Sequence, residues 1–192
     1  MSKKSKSRVL LVIASEAFDD RQYQAVRDAL EKADVQVDVA STVKQGARGL
    51  GGMRIDPDFI IDDVDATQYA GVIFLGGHGC AQYWHDVFAH EIVRAIYEKR
   101  GLIAAIGRAP VILGEAGILS EHRTTGAVGI YEKMVIFSKA FTANKIEVDG
   151  NVITAEDNNA LADFVDAVVS WLKQDNRRSP QSAEASAQTS SA

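Results

Sequence analysis

Three stretches of the chain are apolar without alternation: Arg8-Val9-Leu10-Leu11-Val12-Ile13-Ala14, Gly71-Val72-Ile73-Phe74-Leu75 and Leu102-Ile103-Ala104-Ala105-Ile106. Runs of this kind predict strands covered on both faces, as in a parallel sheet between two helical layers. Val35 to Ala40 alternates apolar and polar, which predicts a parallel strand nearer an edge. Between the strands the period changes. Tyr23, Val26 and Leu30 recur at helical spacing over 20–32, with Asp19 or Asp20 as the cap. Val87, Phe88, Ile92, Ala95 and Ile96 mark a helix from about Asp86 to Arg100, whose basic end suits the negative pole of the helix dipole. Leu161, Phe164, Val165, Val168, Val169 and Leu172 give the last helix the clearest stripe.

Other segments are less regular. From Val43 to Asp65, glycines at 46, 49, 51 and 52 break any helix, and Met53 to Val64 predicts one or two short strands off the main sheet. Ile130 to Phe137 fits helix or strand equally. Lys145 to Thr154 reads as two alternating strands about Asp149-Gly150, a strong hairpin signal. Strands alternating with helices predict an α/β fold, a three-layer sandwich with a mostly parallel, flavodoxin-like sheet and helices on both faces.

The centre of this plan is 102–117. A buried strand ends at Gly107, Pro110 opens a short helix, and Gly117 closes it as a left-handed cap. Such a strand-to-helix turn is where α/β proteins hold a nucleophile clear of the sheet. Here the turn carries a glycine.

The totals narrow the class. The chain has 192 residues with 46% hydrophobic composition, enough for one sizeable core. A net charge of -5 gives no basic footprint for nucleic acid, and no apolar run approaches the ~20 residues of a membrane span. One cysteine forms no internal disulfide, and the amino terminus lacks the apolar segment of a signal peptide. The expectation is a soluble, cytoplasmic protein with a single domain over 8–174, and polar tails at 1–7 and 175–192 that are disordered.

Ala104 to Leu113 followed by Ala116-Gly117-Ile118-Leu119 resembles the elbow of the ThiJ/PfpI superfamily, whose fold is the class I glutamine-amidotransferase-like sandwich. Phe74-Leu75-Gly76-Gly77-His78-Gly79 resembles its oxyanion loop and Glu147 to Thr154 its late hairpin. The resemblance implies a cysteine at 107, often a histidine at 108, and a carboxylate from the loop after the first strand that meets the cysteine. This chain has Gly107 and Arg108, and the carboxylate maps onto Asp19 or Glu16.

The candidate site is therefore an elbow and ligand pocket of Gly107, Arg108, Gly76, Gly77 and His78. Asp19, Glu16 and the displaced thiol of Cys80 are its catalytic candidates. A thiolate mechanism needs a nucleophile that Gly107 does not supply. The leading expectation is a non-catalytic or low-activity, stress-response type protein that binds a small anionic or carbonyl-containing ligand or a partner, as the homodimer that the resemblance implies. The alternatives are a cofactor-free hydrolase, lyase or deglycase acting on small carbonyl compounds, and a chaperone-like holdase. His78, His85, His90 and Glu91 lack the helical pairing of a metal motif, and neither metal nor cofactor is expected.

Overall fold

The computed structural model describes residues 7–178. In chain order the elements are β1 (Arg8–Val12), β2 (Glu16–Phe18), α1 (Asp20–Lys32), β3 (Gln36–Ser41), β4 (Ala47–Gly49), β5 (Arg54–Ile55), β6 (Phe59–Ile60) and β7 (Gly71–Phe74). There follow α2 (Val87–Glu98), β8 (Leu102–Ile106), α3 (Pro110–Glu115), β9 (Arg123–Thr124), α4 (Tyr131–Phe137), β10 (Ala140–Phe141), β11 (Ile146–Asp149), β12 (Val152–Ala155) and α5 (Leu161–Arg178).

The seven-stranded sheet runs β11-β12-β8-β7-β1-β3-β6, parallel except for the β11–β12 hairpin. The unalternating strands β1, β7 and β8 are its centre, and their side chains point alternately into two cores. Val9 and Leu11 pack with Tyr23, Val26 and Leu30 of α1 and Phe164, Val168 and Leu172 of α5. Leu10 and Val12 pack with Ile92, Val93 and Ile96 of α2, Val111 and Leu113 of α3 and Met134 of α4. Covering both faces is what lets those strands do without polar positions.

Some segments settle differently from the pattern. The ambiguous run at 130–137 is the helix α4, with Met134 buried and Val135 and Ile136 exposed. The segment after β1 contains β2, which pairs with β4, and β4 with β5, in a separate three-stranded sheet, while β6 extends the main one. Asp19 caps α1, and its carboxylate accepts from the N–H groups of Arg21 and Gln22. The last helix, α5, runs to Arg178, so residues 175–178 of the tail expected to be disordered are helical. Of the predicted tails, residues 1–6 and 179–192 lie outside the described residues.

Candidate functional site

Strand order reverses at β1: β3 lies on one side of it, β7 and β8 on the other. The carboxyl ends of these central strands face the crevice where open α/β sheets bind ligands. A cleft of about 290 Å³ lies there, lined by Asp19, Gln22, Leu50, Gly77, His78, Gly107, Arg108, Asp157 and Asn158.

Gly107 has φ +71°, its N–H donates to the Ala155 carbonyl at 3.0 Å, and its own carbonyl accepts from Ala127 N–H at 2.8 Å. The turn thus keeps the strained backbone of an elbow. It also keeps the room. A Cβ placed on Gly107 would meet only Gly76 Cα at 3.7 Å and Gln22 Nε2 at 3.9 Å.

Gln22 is the polar side chain that faces this position. It is buried, its Oε1 accepts from Gly76 N–H at 2.7 Å, and its Nε2 donates to Asn158 Oδ1 at 2.8 Å. Asn158 Nδ2 donates in turn to Asp19 Oδ2 at 2.7 Å. The chain Asp19–Asn158–Gln22–Gly76 satisfies every buried polar group it includes and presents an amide, not a carboxylate, to the elbow. Among the described residues no acceptor takes the N–H of Gly77 or of Arg108.

The other sequence candidates are dispersed. Asp19 lines the cleft with its oxygens occupied by the cap and by Asn158. Glu16 is exposed on β2 and is not part of the lining. Gly76 lies beneath the lining, its N–H engaged by Gln22. Cys80 is buried in the core within a 3-10 turn at His78–Tyr83, and desolvation, outweighing the opposing charge of Arg108, pushes its thiol up to about 12. A thiol so protonated is a packing residue at neutral pH.

Arg108 and His78 do come together, with Arg108 Nη1 3.3 Å from His78 Nδ1. The Arg108 guanidinium also lies over the Trp84 ring, 5.1 Å from its centroid. The remaining histidines do other work: His85 lies 3.6 Å from Glu115, and His90 Nε2 is 2.9 Å from the Trp84 carbonyl. Among the described residues no group of three His, Cys, Asp or Glu side chains could hold a metal ion.

Gln22 and Asn158 were not among the candidates read from the sequence. The available signal was a polar residue set among the buried positions of α1, one residue before Tyr23 and four before Val26.

Residues 7–171 match the DJ-1/PfpI family. The chain belongs to that family. It is 33% identical over 153 residues to the uncharacterized protein MJ0967 of Methanocaldococcus jannaschii, covering 78% of this chain and 75% of that one. It is 24% identical over 164 residues to the deglycase PfpI of Pyrococcus furiosus, 85% of this chain and 99% of that one. Among solved structures, the ThiJ/PfpI domain protein of Brachyspira murdochii superposes with a TM-score of 0.84 at 27% identity, over 88% of this chain and 99% of that one. The DJ-1/PfpI relatives share the three-layer sandwich described above. No helix among the described residues is long and apolar enough to cross a membrane.

Proposed function

We propose that this DJ-1/PfpI member binds a small anionic or carbonyl-containing molecule in the elbow cleft and has little or no catalytic activity of its own. The observation that carries the reading is the pairing at the elbow: Gly107 supplies no nucleophile, and the side chain facing it is the neutral amide of Gln22. A covalent mechanism needs a nucleophile and a group to activate it, and both are replaced at one contact. What remains is a binding surface. Arg108, whose guanidinium makes no ion pair among the described residues, and the two unengaged N–H groups of Gly77 and Arg108 suit an anion or a polarised carbonyl. The reading includes a homodimer. Val128, Tyr131, Val135 and Ile136, exposed on and just before α4, form the apolar surface that pairing would cover.

The experiment is methylglyoxal consumption, the substrate suggested by deglycase relatives, measured for the protein, for Gly107→Cys and for Gly107→Cys with Gln22→Glu. The expected result is no turnover above blank for the protein and a rate for the double variant above that of Gly107→Cys. Turnover by the unaltered protein that disappears in Asp19→Asn would overturn the reading in favour of a carboxylate-base hydrolase or lyase, a mechanism in which a positioned base contributes ~10²–10⁴-fold.

A further inference from the structure

The cleft lining carries charges of both signs, and the positive charge continues beyond it. Arg108 lines the cleft and lies over the Trp84 ring, and Lys133 from α4 reaches the same ring, its Nζ 5.4 Å from the centroid. Neither cation has a carboxylate within ion-pair distance among the described residues, in a chain with 26 acidic residues and a net charge of -5. Placing two like charges on one indole costs repulsion that the ring offsets only in part. The Trp84 indole N–H, a donor only, is buried with no acceptor among the described residues. His78 Nδ1 stands opposite an Arg108 N–H, so it accepts, and its Nε2 carries the proton and is a further donor at the rim. The same lining also carries negative charge. Asp19 and Asp157 are acceptors there, held in place by backbone N–H groups and by the side-chain amides of Asn158 and Asn159.

We infer that the Arg108–Trp84–Lys133 rim holds the phosphate of a small phosphorylated hydroxy compound, whose hydroxyl end turns toward Asp19 and Asp157. This rests on the ligand-binding reading above and narrows its ligand. A single carboxylate is satisfied by the fork of one arginine. Two separate cations, one planar and one a point charge, match a group carrying close to two negative charges and three acceptor oxygens. Hydroxyls complement the carboxylate acceptors of the same lining, and about 290 Å³ admits a three-carbon backbone.

The test is isothermal titration of the full chain at low salt and pH 7.5 with glycerol 3-phosphate, inorganic phosphate and glycolate. Glycerol 3-phosphate is expected to bind at least about tenfold more tightly than glycolate, and to weaken as salt is raised. Lys133→Ala should weaken glycerol 3-phosphate about tenfold and leave glycolate within about twofold, while Arg108→Ala weakens both. Inorganic phosphate binding as tightly as glycerol 3-phosphate overturns the hydroxy compound in favour of free phosphate. Equal affinity for glycolate and glycerol 3-phosphate, or indifference to Lys133→Ala, overturns the phosphate assignment. In those cases glycolate binding that still depends on Arg108 leaves the broader anion reading standing, and binding of none of the three overturns both.

Discussion

The turns after β7 and β8 leave adjacent parallel strands at the same end of the sheet, and both carry glycine within two residues of the strand's end. They are glycine for different reasons. In the turn after β7, a Cβ on Gly76 would lie 2.8 Å from the Ile106 carbonyl, one on Gly77 2.4 Å from the Ala17 carbonyl, and one on Gly79 1.7 Å from the Glu16 carbonyl. Backbone from β2 and β8 occupies the space, so no side chain fits. The 3-10 turn that follows is anchored by Tyr83 Oη donating to the Ile13 carbonyl at 2.8 Å and buries Cys80 within it. After β8, Gly107 has a positive φ but room for a Cβ, which would make only ordinary van der Waals contacts. The first set of glycines is demanded by packing, whereas Gly107 is an absent side chain in a site shaped to hold one.

Gly79→Ala tests the crowded turn and carries the largest expected effect. The clash is with backbone carbonyl, which cannot swing aside, so the loss is about 3 kcal/mol or more, or failure to fold, read from urea midpoints. A smaller loss than that of Gly107→Ala would reverse the comparison. The two turns also differ in what a thiol would do. In Gly107→Cys the new thiol should react promptly with a disulfide reagent at neutral pH, while Cys80 stays silent until the chain unfolds. With its thiol held up at about 12 against an ordinary 9.0, Cys80 has about a thousandfold less thiolate, before access is counted. Prompt labelling of the unaltered protein would show that Cys80 is not held in this way. Gly107→Ala comes next, with an expected cost of about 1–2 kcal/mol from positive φ alone, since no neighbour must move.

The asymmetry of the two turns bears on what could be read from the chain. β1, β7 and β8 were legible because burial on both faces leaves an unalternating apolar run. The elbow was legible because a strand, Gly107 and Pro110 follow one another closely. Of the three-stranded sheet only β5 was legible, as a short strand off the main sheet between Met53 and Val64; β2 and β4 were not, since strands of three residues are too short to show a period. The run at 130–137 was ambiguous because one face of α4 is exposed yet apolar, which erases the contrast that would mark a helix. Gln22 escaped notice for a related reason. A lone amide among the buried positions of α1 looks like an imperfection of the stripe, and its partner Asn158 lies 136 residues away. Nothing local announces that pairing. Only the closed sheet brings α1 and the turn after β12 to the same crevice.

The smallest expected effect concerns the outer wall of the open turn, which rests on one carboxylate where the crowded turn rests on backbone packing. Asp20 Oδ2 accepts from Gly51 N–H at 2.7 Å and Oδ1 from Met53 N–H at 2.8 Å, so the loop that carries Leu50 into the cleft is tied to the start of α1. Desolvation alone would raise the Asp20 carboxyl, but these two hydrogen bonds, with one from its own backbone N–H, outweigh it and hold the group below its ordinary 3.8. A carboxylate depressed in the folded chain contributes stability that is complete above its unfolded value and is lost as pH falls through the folded one. The amide protons of Gly51 and Met53 should therefore keep their protection from exchange down to about pH 4 and lose it progressively below, ahead of those in β1 and β8. In Asp20→Asn their protection should be lower at neutral pH and flat across that range. Equal acid sensitivity in both proteins would mean that the wall is held by something other than Asp20. The two turns would then differ in crowding and not in what fixes them.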